Sequence, residues 1–177
     1  MVIRKLDKQT LKDAIRLKVE CWQEEINGCF VHHLNYDEEY IFWSNWMDTA
    51  QEHNDVRTLL GAFDNTILTG VIFASFAEDA FGSDAIEING LWVNKDYRGQ
   101  QISLKLLAEI LPFYQNLNKH KVIIYNHKYA PSNDYYKAIG GKIIACDSQL
   151  EGRLLVDIFE FNTLDLNHLI REKIKNA

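Results

Sequence analysis

The sequence predicts an α/β domain in which a central mixed, mostly antiparallel sheet of about seven strands is flanked by helices. Three observations predict it. Within residues 86–107, IEINGLWVNKDYRGQQISLKLL, the apolar period changes: Ile86, Ile88 and Trp92 alternate with Glu87, Asn89, Leu91 and Val93, the pattern of a pleated strand. From Ile102 onward, Ile102, Leu106, Leu107, Ile110 and Leu111 fall on one helical stripe. Strand-like and helix-like runs alternate along the whole chain in the order βααβββαβαββ plus a tail helix. Finally, 177 residues with 47% hydrophobic and 25% charged content suffice for one ordinary globular domain with a sizeable core.

Taken in order, residues 2–6 read as a short first strand. Thr10 and Asp13 make a near capping box, and Leu11, Ala14, Ile15, Val19, Trp22 and Ile26 recur at helical spacing, so a first helix covers about residues 11–26 and ends at Gly28. Residues 29–35 have no clear period. They contain His32 and His33, read as loop histidines because no further ligand stands at metal-site spacing. Asp37 can cap a second helix over about residues 37–51, whose Tyr40, Phe42, Trp43, Trp46 and Met47 form a cluster of the kind usually found in a core. Strands over residues 57–63 and 67–76 follow, joined by a hairpin-type turn at Asp64 and Asn65.

Residues 78–84 form a polar loop, and the strand beginning at Ile86 follows. Its helix reaches about Asn116 and contains Pro112, which predicts a kink or an early stop. Residues 122–125 are a continuous apolar run, as in a central buried strand. Residues 142–146 and 153–161 are two further strands expected to pair, and Leu166, Leu169, Ile170 and Ile174 make an amphipathic tail helix over about residues 163–177. With no repeat, linker or low-complexity segment, residues 1–177 are read as a single domain.

Between strand and helix, the tight loop carrying Arg98 and Gly99 leads into a helix N-terminus, whose first N–H groups lack intrahelical partners and carry partial positive charge. That is a natural anion site. The same stretch resembles the acyl-coenzyme A loop of the GNAT N-acetyltransferase superfamily, L-x-V-x-P-x-[YF]-[RQ]-G-x-G-[IL]-[GA]. It reads Leu91, Val93, Lys95 in place of Pro, Tyr97, Arg98, Gly99, Gln100, Gln101 where the second glycine is expected, Ile102, and Ser103 where Gly or Ala is expected. A side chain at position 101 would either obstruct the loop or impose a backbone angle that Gln disfavours. Residues 130–141, APSNDYYKAIGG, are similar to a second GNAT signature, N-P-[AS]-x-x-[FY]-Y-x-x-[LI]-G-[GF]. Pro131, Ser132, Tyr135, Tyr136, Ile139, Gly140 and Gly141 match in register, and Ala130 replaces Asn. The resemblance spans residues 2–161 and implies the α+β sandwich of GNAT type.

The resemblance implies acetyl-CoA as co-substrate and no metal. Arg98, Gly99, Gln100, Gln101, Ile102 and Ser103 would meet the pyrophosphate. Backbone groups of Leu91, Trp92 and Val93 would bind the pantetheine arm and polarise the thioester carbonyl, their side chains remaining core. Ser132 would cap its helix or touch the cofactor arm. The helices after the first strand would wall the acceptor side, so that one face of the aromatic cluster lines a pocket.

Acetyl transfer to an amine requires loss of an amine proton, stabilisation of the carbonyl oxygen and protonation of the departing sulfur. Glu87 suits the first demand, as the lone carboxylate on an otherwise apolar strand, where desolvation would raise its pKa. The competing reading is a solvated strand residue. In the matched signature Tyr136 can protonate the sulfur. Its competing reading is a half-buried helix aromatic, the reading given to Tyr135.

Nineteen basic and 25 acidic residues give 19 − 25 = −6, which disfavours a nucleic-acid partner. Cys21, Cys29 and Cys146 suggest neither a disulfide framework nor a zinc site, and no cysteine is placed for a covalent acyl-enzyme. The N-terminus does not read as a signal peptide and no apolar run is long enough for a membrane span, so a cytoplasmic protein with no membrane partner is expected. The expected function is N-acetyl transfer from acetyl-CoA to a small-molecule amine by direct attack in a ternary complex. The acidic balance favours a cationic acceptor, and a homodimer is compatible with such a domain. The alternatives are a non-catalytic GNAT-fold ligand-binding or sensor protein, for which Gln101 and Ala130 speak, and transfer of a longer acyl group.

Overall fold

The computed structural model describes residues 1–27 and 32–176. Among these, seven strands form one open sheet in the order β1-β2-β3-β4-β5-β7-β6. They are β1 (Val2–Lys5), β2 (Thr58–Asp64), β3 (Ile67–Phe76), β4 (Ala85–Val93), β5 (Lys121–His127), β6 (Lys142–Gln149) and β7 (Leu154–Asn162). All neighbours are antiparallel except β4 and β5, which are parallel. The helices are α1 (Lys8–Ile26), α2 (Tyr36–Asp48), α3 (Ile102–Gln115), α4 (Ser132–Ala138) and α5 (Thr163–Lys175). The expected mixed, mostly antiparallel seven-stranded sheet is therefore present.

Alternation along the strands sorts two apolar layers. Leu60, Ala62, Ile72, Ala74, Ile86 and Ile88 pack against α3, α4 and α5, with Leu106, Leu107, Tyr136 and Ile170. Leu59, Phe63, Val71 and Phe73 pack on the opposite face against α1 and α2, with Leu11, Ile15 and Trp43. Glu87 and Asn89 lie out of phase with Ile86 and Ile88, and this parity turns them toward the α1–α2 side.

Several local expectations move. Helix α1 starts at Lys8, three residues before the predicted start, because the capping box is built by Asp7 and Thr10: Thr10 N donates to Asp7 Oδ1 at 2.8 Å, and Asp7 N donates to Thr10 Oγ1 at 2.9 Å. The predicted stop at Gly28 lies outside the described residues, and the C-cap is Asn27. Helix α2 is capped by Asn35 rather than Asp37, its Oδ1 accepting from Asp37 N and Glu38 N, and it ends at Asp48. Pro112 does not stop α3, which runs three residues further to Gln115. The tail helix is present, capped by Asn162 and packed on the α3 side through Leu166 and Ile170. No helix among the described residues is long and apolar enough to cross a membrane.

Candidate active site

Two departures from regular pairing open the sheet at β4. Against β3, Phe73 faces Gly90 and Ala74 faces Ile88, so Asn89 is an extra residue on β4, a β-bulge. Against β5, pairing covers only Ala85, Ile86 and Glu87. Beyond Glu87 the two strands part, and β5 continues to His127 alongside β7.

A cleft of about 700 Å³ fills the opening and receives Glu87, Asn89, Gly90, Asn126 and His127 from the parted strands. Helix α1 adds Lys18, Trp22 and Glu25 to its wall. A second cleft of about 420 Å³ shares Glu25, Leu91, Trp92, Ser132 and Tyr136 with the first. A third, of about 350 Å³, continues from it through Val93, Arg98, Ser103 and Tyr135 to the start of α3. The result is a continuous path from the N-terminus of α3, through the split sheet, to a wider chamber.

Glu87 lies in the chamber. Burial is the main influence on its carboxyl and raises the pKa from the ordinary 4.5; the Asn89 side chain beside it acts in the opposite direction, and the charges of Glu78 and Asp55 add to the rise. The side chain is half-buried there, neither core nor fully solvated. Leu91 and Val93 pack on the α3 layer and Trp92 on the α1 layer. The Trp92 indole lies across Gly90, where a Cβ would stand 2.1 Å from a ring carbon. A side chain at position 90 would displace that indole.

Tyr136 stands where the first two clefts meet, with its ring 5.7 Å from that of Phe159. Burial pushes its hydroxyl well above the ordinary phenol value. Tyr135, given no role from sequence, lines the second and third clefts; burial pushes it up to about 12, and the neighbouring Ser103 hydroxyl works against that rise.

At the far end, no side chain caps α3. The first α3-type bond at this end is Lys105 N to Gln101 O, so the N–H groups of Ile102, Ser103 and Leu104 have no intrahelical acceptor. Gly99 has φ +80°, and nothing lies within 4 Å of where a Cβ would stand there. Gln100 gives its carbonyl to Lys105 Nζ at 3.1 Å. This open, amide-rich end fits a pyrophosphate. Arg98 is already engaged elsewhere: Nη2 pairs with Glu24 Oε2 at 2.6 Å and Nε donates to Val93 O at 3.2 Å.

Sequence reasoning missed Lys18, Trp22, Glu25, Asn126 and His127. The first three are spaced four and three residues apart, one face of α1, and that polar face was the available signal. The aromatic residues of α2 do not wall the chamber: Trp43 is core, Phe42 is exposed, and α2 contributes Glu39. Glu39 binds the half-buried Lys18 ammonium and accepts from Trp43 Nε1 at 3.0 Å. Burial lowers the Lys18 pKa, against the opposing pull of Glu39. Among the described residues, no group of three or more His, Cys, Asp or Glu side chains could hold a metal.

The sequence profile of the acetyltransferase (GNAT) family matches residues 15–140. The chain belongs to the GNAT family. Solved GNAT structures share the fold. The PaiA N-acetyltransferase of Thermoplasma acidophilum, solved with coenzyme A, is 20% identical over 91% of this chain and 98% of its own, with a TM-score of 0.68. The putative acetyltransferase yncA of Salmonella typhimurium, solved with acetyl-CoA, is 19% identical over 92% and 94%, with a TM-score of 0.64. An aminoglycoside 6'-N-acetyltransferase complexed with coenzyme A is 17% identical over 92% and 97%, with a TM-score of 0.67. No curated protein matched the sequence.

Against the GNAT loop pattern, the unusual Gln101 adopts φ +60° and ψ 22°, the left-handed conformation the missing glycine would take without strain. Gln101 is among the residues that line the third cleft. Nε2 donates to Lys173 O at 3.1 Å, tying the loop to the end of α5. Gln101→Gly therefore relieves backbone strain while losing one exposed hydrogen bond worth ~1 kcal/mol, and the coenzyme A Kd should move by less than about tenfold. Calorimetric titration checks this; a much larger tightening would mean that the side chain obstructs the groove after all.

Proposed function

We propose that this GNAT protein transfers the acetyl group of acetyl-CoA to a primary amine of a cationic small molecule, by direct attack while both are bound. The observation that carries the reading is the split between β4 and β5 beside a half-buried carboxylate, Glu87, in a chamber that meets a narrow groove. Acetyl-CoA supplies a thioester carbonyl open to attack. The uncapped start of α3, Gly99 and Ser103 hold its phosphates; the unpaired edge of β4 from Leu91 to Val93 lies along its arm.

Glu87 takes the amine proton. Tyr136, at the junction, donates a hydrogen bond to the departing sulfur. The chamber wall carries Glu25, Glu39, Glu78, Glu87 and Asp147 against one lysine, Lys18, which Glu39 already neutralises. That balance attracts an acceptor bearing positive charge and repels an anionic one.

Acetyl-CoA at about a hundred times its Kd should add roughly 2.7 kcal/mol of stability, a rise of about 5–10 °C in Tm for a chain of this size. Thiol release should then follow for diamines and polyamines and be weak for amines that carry carboxylates. An unmoved Tm with no calorimetric heat overturns the cofactor assignment. Binding without thiol release from any amine overturns catalysis.

A further inference from the structure

We propose that the Trp92 indole sets the length of the transferred acyl group and closes the site to chains longer than acetyl, an inference resting on the transferase reading above. Sequence reasoning left this side chain to the core; in the fold it also faces both the chamber and the groove. Beyond the bulge at Asn89, Leu91 and Val93 point to the α3 layer, so alternation gives Gly90 and Trp92 the opposite face. Gly90 has no side chain to place there, and the indole folds back into that space. A Cβ at position 90 would stand 2.1, 2.4 and 2.7 Å from three carbons of the six-membered ring. The glycine makes room for the indole.

The ring is also wedged from behind. Phe73, which faces Gly90 from β3, meets it edge-on, with 5.5 Å between centroids and 88° between planes. The Lys18 ammonium lies 5.7 Å from its centre. Val71, directly opposite Trp92 on β3, is fully buried, as is Phe73. An indole packed in this way moves aside only by disturbing the α1 layer.

Its open surface lies where an acyl group has to be. Groove and chamber share Glu25, Leu91, Trp92, Ser132 and Tyr136. The carbonyl carbon carries sulfur from the groove and is attacked by an amine from the chamber, so it sits within this ring of five. Leu91 and Tyr136 wall it from the α3 layer. Trp92 and Glu25 wall it from the α1 side.

A tail longer than a methyl then has two directions open to it. Toward the chamber it meets Glu25, Glu39, Glu78, Glu87 and Asp147, a carboxylate wall against which an apolar chain gains nothing by leaving water. Toward the α1 layer it meets the indole, which fills the apolar space on that side. Trp92→Ala would exchange the ring for an apolar pocket backed by Val71 and Phe73 and open to the junction. A longer acyl chain could then be buried there.

Two readouts over one series test this: calorimetric titration of coenzyme A, acetyl-CoA, propionyl-CoA and butyryl-CoA, and thiol release from the same thioesters with putrescine as acceptor. In the wild type kcat/KM should fall about tenfold or more for each methylene added to acetyl, and butyryl-CoA should bind no tighter than acetyl-CoA. Trp92→Ala should bind free coenzyme A as the wild type does. It should bind the longer thioesters more tightly, by roughly fourfold for each methylene buried. Its butyryl-to-acetyl ratio of kcat/KM should rise at least about tenfold. Should Trp92→Ala fail to fold, Trp92→Leu, which keeps apolar bulk on the α1 layer, carries the test with propionyl-CoA as the chain that gains. Equal use of acetyl-CoA and butyryl-CoA by the wild type, or an unchanged preference in a variant that binds free coenzyme A, overturns the role of the indole. A wild type that binds acetyl-CoA without releasing thiol retires the transferase reading, while the series of Kd values still judges the indole on its own. No heat with free coenzyme A retires the cofactor assignment and this inference with it.

Discussion

Glu87→Gln is expected to lower kcat/KM for a good acceptor on the order of a hundredfold or more, with acetyl-CoA affinity nearly unchanged. Glutamine keeps the shape of the side chain and its place beside Asn89 but cannot take a proton. Burial raises the Glu87 pKa from 4.5, so the wild-type rate should climb as pH rises through that raised value and the base ionises. In the variant that limb should vanish, leaving only the ionisation of the free amine, near pH 10. Stability should move the other way. A raised native pKa stabilises the fold fully below 4.5, and that contribution is lost as pH rises through the raised value, where an ionised carboxylate sits among Glu78 and Asp55. Glu87→Gln should therefore be at least as stable as the wild type at neutral pH. A wild-type pH–rate profile in the variant would show that another group accepts the proton.

Tyr136→Phe is expected to lower kcat and kcat/KM together, by about tenfold to a hundredfold, because a hydrogen bond to sulfur strengthens as charge develops there. The ring contacts with Phe159 and Phe161 survive the change, so the Tm should hold. Tyr135→Phe is the informative partner. Its hydroxyl lies beside Ser103 along the cofactor groove, so its loss should raise the KM for acetyl-CoA and spare kcat. A kcat loss in Tyr135→Phe with none in Tyr136→Phe would exchange the roles of the two tyrosines.

Periodicity and turn chemistry were enough to place the strands and helices, because each reports a local preference: alternation for β4, a 3.6-residue stripe for α3, an amphipathic stripe for α5. Helix starts were misjudged where the capping side chain lay outside the apolar pattern, as with Asp7 and Asn35. The loop at residues 98–103 was legible as the approach to a helix N-terminus, because that is a local property. Glu87 was legible because a carboxylate breaking an apolar strand is conspicuous in one dimension.

What only the tertiary structure decided is the company those residues keep. Nothing local says that β4 and β5 part after Glu87, that Gln101 reaches Lys173, or that Arg98 turns back to Glu24. Glu25 shows the difference most plainly. In sequence it is one acid near the end of a helix. In the fold it meets Ser132, 107 residues away, beside a hydrogen-bond chain that runs through Asn126 and Asn133 to Asp157. By itself the sequence determined the elements, their order and the open helix N-terminus after the loop at residues 98–101, all governed by contacts within a few residues. Charge state and hydrogen-bond direction depend on burial and on partners brought from distant strands, and those come into existence only when the chain folds.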